Sequence, residues 1–287
     1  MSAHDRPTGT ASNGWAALPG GVGSVLAVAG DVRVAAEISR LRAWRGLVPL
    51  WLAEAPEQNP ARPTILADRV CWGPYAADLD TGAVTEIPFA RPPQGYLATA
   101  HAWSPDGSAA VAAGRRRDPG GSAPAVAAWR LDPTGPTTLW SGDDVPPVAV
   151  AVDGDIAVVG HRDPVVHGSG ATHPRVLDAP TPPQRIDIRS ARLLLVGSGE
   201  LSVWDLGTGT LLGRASGTWM DACLTPDGET ALAVDMSGRL VPLAVSDDLR
   251  TATVEPQDTP MTAVATDGHV LLAAFAGLPG LRVRELR

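Results

Sequence analysis

Three of the six histidines fall in one stretch, GHRDPVVHGSGATHP, as His161, His167 and His173, with Asp163 after the first. Imidazoles beside a carboxylate are a donor set for Zn²⁺ or a similar divalent ion. Their six-residue spacing matches no recognised metal motif. The glycines and prolines around them would make binding carry the cost of ordering the segment. His161, Asp163, His167 and His173 are therefore metal candidates only, and no bound metal or cofactor is expected. With Asp143 and Asp144 as acid or base they define an enzyme alternative, lyase- or hydrolase-like, at a channel mouth.

Arginine supplies the second group: Arg40, Arg42 and Arg45 around Trp44, then Arg115, Arg116 and Arg117, then Arg162. Its planar guanidinium suits bidentate contact with carboxylates and stacking on aromatic rings. The sequence contains no lysine, so all 23 basic residues are arginine. Schiff-base and phosphate-loop lysine mechanisms are thereby excluded. The net charge is −8. Residues 1–143 contribute −1 of it (12 Arg against 13 acids) and 144–287 the other −7 (11 against 18). Nucleic-acid binding runs on phosphate neutralisation, so it is not expected. G-x-S-x-G, H-E-x-x-H and C-x-x-C patterns do not occur.

The elements that carry these residues must be short. The 31 glycines and 27 prolines interrupt the chain too often for long helices, while 44% hydrophobic residues suffice for a core. Apolar runs flank a turn aspartate at Asp31, Asp68, Asp106, Asp153, Asp227 and Asp267, with gaps of 37, 38, 47, 74 and 40 residues. The longest gap is a double one, with Ser190 of RSAR at its middle. Hairpin turns favour Asp-Gly because glycine accepts positive φ without steric cost. Seven units of about 40 residues predict an all-β, seven-bladed β-propeller of four-stranded antiparallel blades. Trp51, Trp129 and Trp204 are read as core residues of third strands. The last unit stops after LRVREL, so residues 12–19, with Trp15, are expected to supply its fourth strand.

WSPDGSAAVAAG, LTPDGETALAV and LSVWDLGTGTLL resemble WD-repeat proteins of the divergent bacterial kind. The resemblance covers nearly the whole chain and implies a WD40-like propeller that acts as a protein-interaction scaffold. Only one Trp-Asp dipeptide, Trp204–Asp205, is present, and no Gly-His pair opens the repeats. Apolar packing must replace the side-chain network those residues usually form.

The expected organisation is a flexible tail over residues 1–11 and one propeller over 12–287. Cys71 and Cys223 are expected to be buried, unpaired thiols. The N-terminus lacks a signal layout and no apolar run is long enough for a membrane span, so a cytoplasmic, membrane-free protein is expected. In a propeller the loop after each second strand and the loop between blades share one face. That topology is expected to gather Arg40, Arg42, Trp44, Arg45, Arg115, Arg116, Arg117 and Arg162 over blades one, three and four, around a notch over blade two. The expected function is a non-enzymatic scaffold that offers this face to another protein, acidic at the contact. A small-molecule or glycan binder, with Trp44 as stacking platform, is the remaining alternative.

Overall fold

The computed structural model describes residues 14–21, 23–37, 39–55, 61–118, 123–142, 145–168, 174–179, 181–247, 249–251, 259–276 and 280–286. It contains seven four-stranded antiparallel sheets, the predicted seven-bladed propeller. Blade one comprises Val25–Ala29, Val32–Ala36, Arg40–Arg45 and Val48–Glu54. Blade two is the smallest, with Thr64–Ile65, Arg69–Trp72, Tyr75–Asp78 and Val84–Glu86. Blade three is the largest: Tyr96–Trp103, Ala110–Arg116, Val126–Asp132 and Gly135–Gly142. Blade four holds Ala149–Asp153, Ile156–Gly160, Val165–His167 and Arg175–Val176. Blade five holds Arg185–Arg189, Arg192–Val196, Glu200–Asp205 and Leu211–Ser216. Blade six holds Trp219–Leu224, Thr230–Asp235, Leu240–Ala244 and Arg250–Thr251.

Blade seven closes the ring. Its first three strands are Met261–Thr266, Val270–Phe275 and Leu281–Glu285, and the fourth is Ala16–Leu18 from the other end of the chain. Ala16 pairs with Val283, Ala17 with Arg282 and Leu18 with Leu281. This is the closure read from the truncated last repeat. The expected tail, residues 1–11, lies outside the described residues.

The sheets stack face to face, so their inner strands are buried on both sides and read as apolar runs rather than alternations. Val270–Phe275 is buried at every position, and Leu193–Val196 likewise. First strands of neighbouring blades pack side by side around the axis.

Three of the repeated aspartates, Asp106, Asp227 and Asp267, cap the turn between first and second strands with their carboxylates. Asp106 Oδ1 accepts from Ser104 Oγ (2.6 Å), Ser108 N (3.0 Å) and Ser108 Oγ (2.8 Å), while Gly107 takes φ +72°. Asp227 is held the same way by Thr225 Oγ1 (2.6 Å) and Glu229 N (3.0 Å). These hydrogen bonds hold the Asp106 and Asp227 carboxyls below the usual range, Asp106 at about 2.

The tryptophan register differs from the sequence reading in blade one. The register of the third strand against the fourth shifts at Ala43/Trp44, Ala128/Trp129 and Val203/Trp204, so Trp44, not Trp51, is the counterpart of Trp129 and Trp204. Trp51 lies on the outer strand, where its Nε1 donates to Leu79 O at 2.9 Å. In blade four the corresponding place belongs to His167, opposite Ala157.

Candidate functional site

Loops after second strands and between blades emerge on one face, here the loop face; the hairpin turns occupy the other. Arg115, Arg116 and Arg117 reach the loop face at the end of the second strand of blade three. Arg162 reaches it beyond the second strand of blade four. Arg115, Arg117 and Arg162 are exposed, and none has an acidic partner among the described residues. Arg116 is spent on its own loop, donating to the carbonyls of Asp118 and Ala123. Between the two blades His161 stacks on Trp140, with ring centroids 4.5 Å apart.

Blade one departs from expectation. Arg40–Arg45 is a strand rather than a loop, so its residues spread from one face to the other. Arg40, at the loop-face end, pairs with Glu54 at 3.2 Å. Arg42 donates to Gly20 O at 2.7 Å and so braces the closing segment. Arg45 lies at the opposite face, 3.8 Å from both Asp31 and Asp80. Trp44 is fully buried, and its Nε1 donates to Pro19 O at 3.2 Å. A ring in the core cannot stack on a glycan or partner, so Trp44 leaves the face. Trp140, half-buried near the end of the outer strand of blade three, is an aromatic that this face does carry.

The histidine stretch is likewise divided by a strand. Val165–His167 separates His161 and Asp163, at the loop face, from His167 at the turn-face end. His173, Asp143 and Asp144 lie outside the described residues. Among the described residues no three metal-ligating side chains converge.

Sequence reasoning missed the charged centre of the ring. Arg62, from the segment joining blades one and two, turns into the axial channel. Its Nε donates to Leu26 O (3.4 Å) and Nη2 to Val264 O (3.3 Å). Asp187 and Asp221, buried on the first strands of blades five and six, each accept a backbone N–H from the next blade, from Leu224 at 2.9 Å and Val264 at 3.0 Å. Burial raises the Asp221 carboxyl above its ordinary range against the opposing pull of Arg62. Burial also opposes the charge of Arg62, but the fields of Asp221 and Asp187 outweigh it and the guanidinium stays firmly protonated. Cys223, also in the channel, is an inert thiol that burial pushes up to about 12. Cys71 is buried and unpaired as well. The missed signal was a polar residue inside an apolar first strand: His101 in TAHAW, Asp187 in RIDIR and Asp221 in MDACL.

His101 is 4% exposed, and burial lowers its imidazole to about 4. The unfolded chain takes up the proton near 6.5 and the folded chain only near 4. Stability is therefore full above pH 6.5, is lost as pH falls from 6.5 toward 4, and levels off below. A shift of this size corresponds to about 3 kcal/mol. Urea denaturation at pH 7 and pH 4.5 is expected to show this slope in the wild type and to lose it in His101→Gln. An equal slope in both proteins would refute the assignment.

The fold defines a class: a seven-bladed, WD40-like β-propeller built from 40-residue units. No family model and no curated protein matches the chain. Among solved structures it is similar to the β-propeller domain of Cps50 (Swd1) from Myceliophteria thermophila. The TM-score is 0.70 at 9% identity, over 95% of this chain and 98% of that one. In all, 1527 solved chains match, so the likeness speaks for architecture and leaves function to the residues above.

Proposed function

We propose that this protein is a non-enzymatic interaction scaffold that docks an anionic segment of another protein on its loop face over blades three and four. One observation carries the reading: Arg115, Arg117 and Arg162 stand exposed without acidic partners among the described residues, beside the Trp140–His161 stack. Guanidinium groups on a rigid scaffold are suited to carboxylates, and an aromatic beside them adds stacking area. The acidic half of the chain, mostly blades five to seven, then disfavours docking on the wrong side. Unpaired cysteines are in keeping with a reducing cytoplasmic setting. Among the described residues no helix is long and apolar enough to cross a membrane.

Replacing Arg115, Arg117 and Arg162 together with glutamate is expected to weaken partner association by about tenfold or more and to flatten its salt dependence. The denaturation midpoint should hardly move, since exposed substitutions usually change stability by under about 0.5 kcal/mol. A triple variant that binds its partner normally at low salt would refute the docking face.

A further inference from the structure

Blade two leaves a gap on the turn face. Its first strand, Thr64–Ile65, has only two residues, against five in blade one and eight in blade three. Between the neighbouring turns opens a groove of about 560 Å³, which runs from Pro105, beside the axial channel, outward to Arg45. Its lining is mostly apolar: Val32 and Leu79 are buried, Ile65 and Leu66 half-buried, and Ala67 and Pro105 exposed. The hairpin that carries Arg45 also exposes Leu47 (43%) and Val48 (66%).

The charges around this groove are negative in sum. Asp31 and Asp106 line it, and Asp68, Asp78 and Asp80 stand in the blade-two turns beside it. Against these five carboxylates stand three guanidinium groups. Arg45 lies 3.8 Å from both Asp31 and Asp80, Arg69 is held by Asp68 at 2.9 Å, and the buried Arg33 donates to Asp31 O at 2.7 Å. A net charge of −2 remains, and Asp31 and Asp80 are well exposed to a newcomer.

An apolar floor bordered by net negative charge calls for a ligand that is apolar and cationic at once. Nucleic acid and anionic lipid headgroups carry the wrong sign. An arginine or lysine side chain fits, because its methylene stem covers apolar surface while its charged head reaches the rim. Exposed apolar area rimmed by polar residues is the usual mark of a protein-docking surface.

We propose that the turn-face groove over blade two is a second docking site, which takes a basic, leucine-containing segment of a partner protein. Leucine side chains of that segment cover Ile65 and Leu66 while its cations meet Asp31 and Asp106. The site goes beyond the loop-face reading and does not depend on it. The groove attracts cations where Arg115, Arg117 and Arg162 attract carboxylates, so one ring can hold two unlike partners at once.

The probe is N-acetyl-Arg-Leu-Leu-Arg-amide, titrated by calorimetry against the full chain at low salt. It is expected to bind saturably, the Arg-Gly-Gly-Arg analogue about fivefold more weakly or worse, and the Glu-Leu-Leu-Glu analogue not at all. Asp31→Lys should weaken binding about fivefold, whereas Asp155→Lys, the same reversal in blade four of that face, should leave it within about twofold. Leu66→Ser should erase the preference for leucine over glycine. If that variant fails to fold, the three peptides and the two charge reversals still decide the matter. Equal binding of the two arginine peptides, no saturable binding, or equal losses at Asp31 and Asp155 overturns the inference. Self-association of the chain that the peptide abolishes would make a second copy the occupant and overturn it as well.

Discussion

Removal of residues 1–18 is expected to destabilise the ring more than any single substitution. That segment brings Trp15 and Leu18, 2% and 1% exposed, into blade seven. Trp15 meets Phe275 edge-on with centroids 5.3 Å apart, and the Arg284 guanidinium lies 5.0 Å from its ring. Emptying a buried tryptophan site costs about 3–5 kcal/mol and a buried leucine site about 2–5 kcal/mol. Their sum is comparable with the whole stability of an ordinary domain, about 5–15 kcal/mol. The truncation also leaves Leu281–Glu285 as an unpaired edge, a template for association with other chains. Urea denaturation and light scattering of the truncated protein should show a collapsed midpoint and aggregation. A truncated chain that melts with the full one would mean that the closing strand contributes nothing.

The second large effect concerns Trp44. Trp44→Ala is expected to cost about 3–5 kcal/mol, the range for emptying a large aromatic site in a packed core. Loss of its hydrogen bond to Pro19 O would loosen the closing segment as well. Partner association, measured where the variant is still folded, should stay at the wild-type level. A Trp44→Ala protein with an unchanged denaturation midpoint and weakened association would restore Trp44 to the binding face.

The two readings of Trp44 show where the sequence speaks and where it does not. Turn aspartates are legible because the turns at Asp106, Asp227 and Asp267 need a fixed arrangement: a carboxylate, a nearby Ser or Thr and a glycine at positive φ. Their period therefore counted the blades, and the missing fourth strand of the last repeat predicted the closure. The third strand of blade one was hidden because RLRAWR reads as a polar loop. Its arginines at 40 and 42 in fact alternate with buried Leu41 and Ala43, the period-two pattern of a half-buried strand. The strand Val165–His167 is only three residues long, too short for any period to show. The channel charges were illegible for another reason. Arg62, Asp187 and Asp221 lie far apart in sequence, and only ring closure brings them to one axis.

The docking face itself is tested most directly by placing a photo-crosslinking amino acid at Arg117 in cells and, in a parallel strain, at Asp155 on the opposite face. The Arg117 probe is expected to trap one defined partner through an acidic segment identified by mass spectrometry, while the Asp155 probe traps none of it. Capture of that partner from Asp155, or from both positions alike, would contradict the account.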